Sequence, residues 1–415
     1  MNILLVPIGS HGDVHPFVGL GSALRDRGHR VTVLTNSHFG PLIGRAELDF
    51  VALGSEDDYQ QAISDPKLWE PIEGFKRVVE WGILRQMRPV YELIAERYLP
   101  GETVVLAQAT AFGARIAQEA LGVPLVTVNL QPALLRSVVE PPALPGYALV
   151  RRLPRAGRRL FYWFGDRLIV DPLLTKGVDA FRAELGLPRV RRFLDRWWFS
   201  PQRVLGLFPD WFAPPQPDWP PQVELTGFPL FDERGLEPVP VEVNEFLDRG
   251  DPPIVFTPGT AMAYGHEFFK AAVGACQRLN RRGILLTRFA DQVPTPLPEG
   301  VRHVSYVPFS QLLPRASALV HHGGIGTSAQ ALAAGIPQLI MPMAHDQPDN
   351  AARLTRLGVG RALRPQAFHA PAVADALSAL LGSSDVASRC RSLASRVLEA
   401  DPMGDACASI ERLGL

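Results

Sequence analysis

The chain has 415 residues, 47% of them hydrophobic and 20% charged, which suits a soluble-type globular protein with room for two or three domains. Lysine plus arginine and aspartate plus glutamate each total 42, so net charge gives no lead toward nucleic acid. The three cysteines, Cys276, Cys390 and Cys407, lie too far apart for a disulfide framework or a metal set, and read as buried thiols of a reducing compartment. No apolar run approaches the ~18 residues of a membrane span. Met1 to Pro7 reads as a strand and not as a signal peptide, so the expected location is cytoplasmic.

In chain order, Ile3 to Ile8 is an apolar strand ending in Gly9-Ser10-His11-Gly12-Asp13-Val14-His15-Pro16. The periodicity predicts a helix from about Pro16 to Arg27, closed by Gly28, and then a strand over Arg30 to Thr35. This is a βαβ unit, whose first loop lies at the carboxyl end of a parallel sheet, where such folds place ligands. A dinucleotide site would need GxGxxG here and an acid ending the second strand. The loop offers Gly9 to Gly12 and the strand ends Thr35-Asn36, so both features are missing. Further strands at about 50–53, 103–107 and 124–128, alternating with amphipathic helices, predict a doubly wound α/β domain.

From Arg151 to Arg203 thirteen Lys/Arg stand against five Asp/Glu, with Tyr162, Trp163, Phe164, Trp197 and Trp198 among them. Two readings stay open: helices with an arginine-rich solvent face, or a surface that meets anionic lipid or a lipid-like substrate. No nucleic-acid motif spacing accompanies the segment. A proline-rich passage follows, and 226–245 reads as an interdomain linker between domains 1–225 and 246–415. The final helix is the one expected to return to the first domain.

The second half repeats the pattern, with strands at 253–257, 283–287, 301–307, 318–321 and 338–341. Its focus is Ala318-Leu319-Val320-His321-His322-Gly323-Gly324-Ile325-Gly326-Thr327, a strand that turns through glycines into a helix closed by Gly335. Such a turn leaves backbone N–H groups free at the positive end of the helix dipole, a place for a phosphate or diphosphate. Two histidines border it, and Asp346-Gln347 follows the next strand.

These motifs in combination (Gly9-Ser10-x-Gly12-Asp13-Val14-x-Pro16, Thr257-x-Gly259-Thr260, His321 to Thr327, and Asp346-Gln347 with Asn350) resemble the inverting GT-B glycosyltransferases, over nearly the whole chain. The resemblance implies two Rossmann-like doubly wound parallel-sheet domains facing across a cleft. Three stretches, 65–71, 208–216 and 226–232, are similar to the rhamnosyltransferases of rhamnolipid synthesis. That likeness implies dTDP-L-rhamnose as donor and a 3-(3-hydroxyalkanoyloxy)alkanoate, a hydroxy fatty-acid dimer, as acceptor.

By the same resemblance Asp13 is the general base, with Gly12 and His11 beside it in the acceptor loop; the residues alone equally allow Asp13 as a helix cap. Thr260, His321, His322, Gly323, Gly324, Ile325, Gly326 and Thr327 correspond to the diphosphate site, with the register between the two histidines open. Tyr306 and Val307 correspond to the base site and Asp346 and Gln347 to the sugar site. Gln330 stands where plant members put a ribose-binding glutamate, which leans toward dTDP over UDP. No cofactor and no metal are implied. Alternatives are a UDP- or dTDP-glucose enzyme for a sterol, polyketide or flavonoid, a non-catalytic activator on the same fold, and a sugar-nucleotide epimerase. Contact with the inner face of the cytoplasmic membrane is a further expectation, carried by the basic-aromatic segment.

Overall fold

The computed structural model describes residues 1–413 apart from 145, 146, 148 and 237. It divides into two compact units, Met1–Pro229 with Asp401–Leu415, and Leu230–Ala400.

The first unit is built on a parallel sheet of seven strands in the order β3-β2-β1-β4-β5-β6-β7. These are β1 (Asn2–Val6), β2 (Arg30–Thr35), β3 (Asp49–Ala52), β4 (Thr103–Gln108), β5 (Leu125–Asn129), β6 (Arg203–Gly206) and β7 (Val223–Leu225). Ile3, Leu4, Leu5 and Val6 of β1 are all buried, as a parallel strand covered by helices on both faces requires. Strand order reverses between β1 and β4, which pair in register from Asn2 with Thr103 to Val6 with Ala107. That pairing sets the loop after β1 beside the end of β4.

The first helix runs from His11 to Asp26, a turn earlier than Pro16 suggested. The reason is local. Asp13 reaches back to the Ser10 N–H at 2.8 Å and so starts a helical turn ahead of the proline.

In the second unit six parallel strands follow the order β10-β9-β8-β11-β12-β13. They are β8 (Ile254–Thr257), β9 (Gly283–Leu286), β10 (Val301–Val304), β11 (Ala318–His321), β12 (Gln338–Ile340) and β13 (Gly360–Ala362). Side chains alternate across this sheet: Ile254 and Phe256 join one apolar cluster, and Val255 joins the other.

Much of the stretch expected as a linker is anchored in this unit. The Asp232 carboxylate accepts from the Ser310 N–H at 2.6 Å and the Ser310 hydroxyl at 3.1 Å, and Val241–Asp248 is helical. The last helix, Pro402–Glu411, belongs to the first unit, where Glu411 receives Arg27 (2.6 and 2.8 Å) and His29 (2.9 Å).

Candidate active site

Each unit presents one group of polar residues at the carboxyl ends of its central strands. In the first unit Gly9, at φ +140°, lets the loop after β1 turn tightly over Asp13; a Cβ there would stand 2.2 Å from Asp13 Oδ2. The half-buried carboxylate accepts from Ser10 through Oδ2 and from Gln108 Nε2 through Oδ1 at 3.0 Å. Burial raises the Asp13 pKa above the usual carboxylate range, while the hydrogen bonds from Ser10 and Gln108 pull the other way. Capping and chemistry therefore share one side chain.

Gln108 belongs to no motif and gives no signal in the sequence. Its Oε1 accepts the Ile8 N–H at 2.7 Å, which points the amide NH2 at Asp13. Gly12 is exposed beside Asp13, whereas His11 is buried against the rings of His15, His38 and Phe39 at centroid distances of 5.0–5.5 Å.

In the second unit β11 ends at His321, and Gly323 and Gly324 lead into the helix Ile325–Ala333. Both ring nitrogens of His321 are occupied within the protein. Nδ1 accepts the Gly323 N–H at 3.1 Å, and Nε2 meets Gln338 Oε1 at 3.0 Å, which assigns the proton to Nε2. Complete burial lowers its pKa to about 3, so the ring is neutral.

His322 differs. Its ring lies over the two glycines, since a Cβ on Gly259 would sit 2.9 Å from its Cε1 and one on Gly324 2.5 Å from its Nε2. Burial lowers its pKa to about 4, and its Nδ1 is buried with no protein partner.

The helix beyond begins with Ile325, Gly326 and Thr327, all half-buried, whose N–H groups precede the first intrahelical bond, Ser328 N–H to Gly324 carbonyl at 2.9 Å. Gly323 takes φ +96°, and a Cβ there would lie 2.8 Å from Ile340. Asn350 ties the turn down, donating to the Gly323 carbonyl at 2.9 Å and to Asp346 Oδ2 at 2.6 Å. The neighbouring turn after β8 carries Thr260 exposed.

Gln347 is buried, and its Oε1 accepts the Met343 and Ala344 N–H groups at 2.8 and 3.2 Å. Gln330 is also buried and donates to the Leu230 carbonyl at 3.2 Å. Val307 is buried, and the Tyr306 hydroxyl donates to the Asp232 carbonyl at 2.9 Å, with the Arg288 guanidinium 5.2 Å from the ring centroid.

Two family models match the chain, the glycosyltransferase family 28 N-terminal domain over residues 3–139 and the erythromycin biosynthesis protein CIII-like C-terminal domain over 284–409. O-mycaminosyltylonolide 6-deoxyallosyltransferase of Streptomyces fradiae is 31% identical over 99% of this chain and 97% of its own length. The chain is a nucleotide-sugar glycosyltransferase of that family. A sterol 3-beta-glucosyltransferase of Arabidopsis thaliana is 29% identical over 87% of this glycosyltransferase and 57% of its own length. Among solved structures the calicheamicin glycosyltransferase CalG4 matches at TM-score 0.72 and 22% identity, covering 100% of this chain and 98% of its own. The spinosyn rhamnosyltransferase SpnG complexed with thymidine diphosphate matches at TM-score 0.69 and 20% identity over 97% and 98%. These likenesses identify the architecture of the glycosyltransferase as GT-B.

Proposed function

We propose that the protein transfers a deoxysugar from a dTDP donor with inversion, Asp13 acting as base on the acceptor hydroxyl. The observation that carries this reading is the contrast between the two polar groups. One unit offers a carboxylate of raised pKa, suited to accept a proton. The other offers a neutral imidazole and a row of free N–H groups, suited to a diphosphate. Charge grows on the diphosphate as the sugar leaves, so donors fixed there favour the transition state over the ground state. His322 is the imidazole that meets the diphosphate in this reading, because His321 is committed to Gln338 and Gly323. Thr260 adds a hydroxyl to the same phosphates, Asp346 and the Gln347 amide nitrogen meet sugar hydroxyls, and Tyr306, Val307 and Gln330 receive the base and ribose.

The donor of choice is dTDP-L-rhamnose, supported by the amide of Gln330 where a carboxylate would favour a ribose diol. For the acceptor we favour a 3-(3-hydroxyalkanoyloxy)alkanoate, on the stretches 65–71, 208–216 and 226–232. Part of that likeness is core: Phe212 and Phe228 are buried and meet at 5.2 Å. A macrolide or sterol acceptor is the second reading, favoured by the relatives that act on tylonolide and sterol. A screen of dTDP- and UDP-sugars against the three acceptor classes, read by released nucleotide and the anomeric configuration of the product, separates them. Asp13→Asn should bind nucleotide as before and lose turnover by about 10²–10⁴; undiminished turnover would remove Asp13 from the reaction.

A further inference from the structure

The first unit carries a helix that exposes an apolar stripe among arginines. It runs from Arg155 to Gly165 and continues through Asp166–Val170. Its inward face is held by polar groups. Asp166 is buried and paired with Arg136 through two contacts of 2.8 Å, and Arg158 donates to the carbonyls of Val138 and Val139 at 2.9 Å.

The outward face carries a run of apolar side chains. Leu160, Trp163 and Phe164 are about half exposed, and Leu168 and Ile169 are 68% and 57% exposed, with Leu149 at 73% close by in sequence. Eight of the twelve large hydrophobic side chains exposed among the described residues fall between 149 and 169. A monomeric protein in water rarely concentrates apolar surface this way without something to cover it.

The charges say what covers it. Arg151, Arg152, Arg155, Arg159 and Arg167 are all exposed in the same stretch, and its one acid, Asp166, is turned inward. A second copy meeting this face about a two-fold axis would set arginines against arginines. An anionic bilayer satisfies both features at once, taking the aromatic and aliphatic side chains ~5–10 Å into the acyl boundary and leaving guanidinium groups at the phosphates.

We infer that the helix Arg155–Val170 and the residues just before it form a docking face for an anionic lipid bilayer, with Trp163, Phe164 and Leu168 inserted and the five arginines at the headgroups. The face shares no residue with the two groups of polar residues described above, and its binding requires neither donor nor acceptor. The occupant is the bilayer surface and not a single lipid substrate.

The full chain is floated with vesicles of phosphatidylglycerol and phosphatidylcholine, or phosphatidylcholine alone, at low and at moderate salt. Flotation is expected with the anionic vesicles and should weaken as salt rises. Arg155→Gln with Arg159→Gln should reduce the partition coefficient by about thirtyfold, from roughly fivefold per surface arginine. The triple variant L160S/F164S/L168S should stay in the aqueous fraction with an unchanged Tm, since those side chains are exposed in the wild type. Bromine-labelled acyl chains should quench Trp163 fluorescence, a signal lost in Trp163→Phe, and this reading needs no disruptive variant. No flotation with anionic vesicles at low salt, or a triple variant that floats like the wild type, overturns the inference. So does a dimer in solution that the triple substitution dissociates, because the covering surface would then be a second copy.

Discussion

Replacing Gln108 by leucine tests the arrangement around Asp13 more sharply than replacing Asp13 itself. The substitution removes the 3.0 Å hydrogen bond to Oδ1 and keeps a side chain of similar bulk at the end of β4. A hydrogen bond to a charged group contributes roughly 1.5–3 kcal/mol, and one pKa unit corresponds to about 1.4 kcal/mol. Asp13 is only partly exposed, so surface screening does little to weaken that bond, and the ionised carboxylate should lose its stabilisation. The sign follows from the charge state that Gln108 favours. It donates to the ionised form, so its removal raises a pKa that burial has already raised. The base is active when ionised; the acid limb of kcat/KM against pH should therefore move to higher pH. At a pH above both values the loss in kcat should be small. The Ile8 N–H also loses its acceptor, which should cost about 1 kcal/mol of stability, read as a lower Tm. A pH profile that keeps its acid limb while Tm falls would refute the reasoning, because Gln108 would then hold the loop without touching the chemistry.

The two histidines should separate cleanly. His322→Ala should lower kcat on the order of 10²–10³ with little change in Tm, as for loss of one preorganised donor. His321→Ala should destabilise the protein by about 1–3 kcal/mol in denaturant melts, because Gln338 and the Gly323 N–H lose a buried partner. Gly324→Ala forces a Cβ to within 2.5 Å of His322 Nε2 and should raise the donor KM while leaving the circular dichroism spectrum unaltered. Arg27 and His29 hold the Glu411 carboxyl at a pKa of about 2, below its ordinary 4.5. A carboxylate with a depressed folded pKa stabilises above its unfolded value, and that gain disappears as pH falls from about 4.5 toward 2. Glu411→Gln should accordingly melt earlier than wild type at neutral pH, and the two Tm values should converge in acid.

Much of the architecture was written in local pattern. Apolar runs such as Ile3–Val6 mark buried parallel strands, and the glycines at 323 and 324 mark the turn into a helix, because these features depend on a few adjacent residues. Proline misled at the first helix. Pro16 is a favoured helix opener, but the Ser10–Asp13 contact outweighed it and began the helix at His11. The partners of Asp13 and His321 were hidden for a different reason. Gln108 lies 95 residues from Asp13, and Gln338 lies 17 residues from His321 on the adjacent strand. Only the pairing of β1 with β4 and of β11 with β12 makes them neighbours. A glutamine bears no motif of its own, so its role is visible only in three dimensions.

The chain leaves its first unit at Pro229 and comes back at Asp401. Cys407 and Ile410 are fully buried in that returning segment. Hybrid enzymes made by exchanging halves at a single splice near 229 would thus graft a foreign tail onto the front half. Two junctions, with the segment from Asp401 onward kept beside its native first helix, should give the better-folded hybrids.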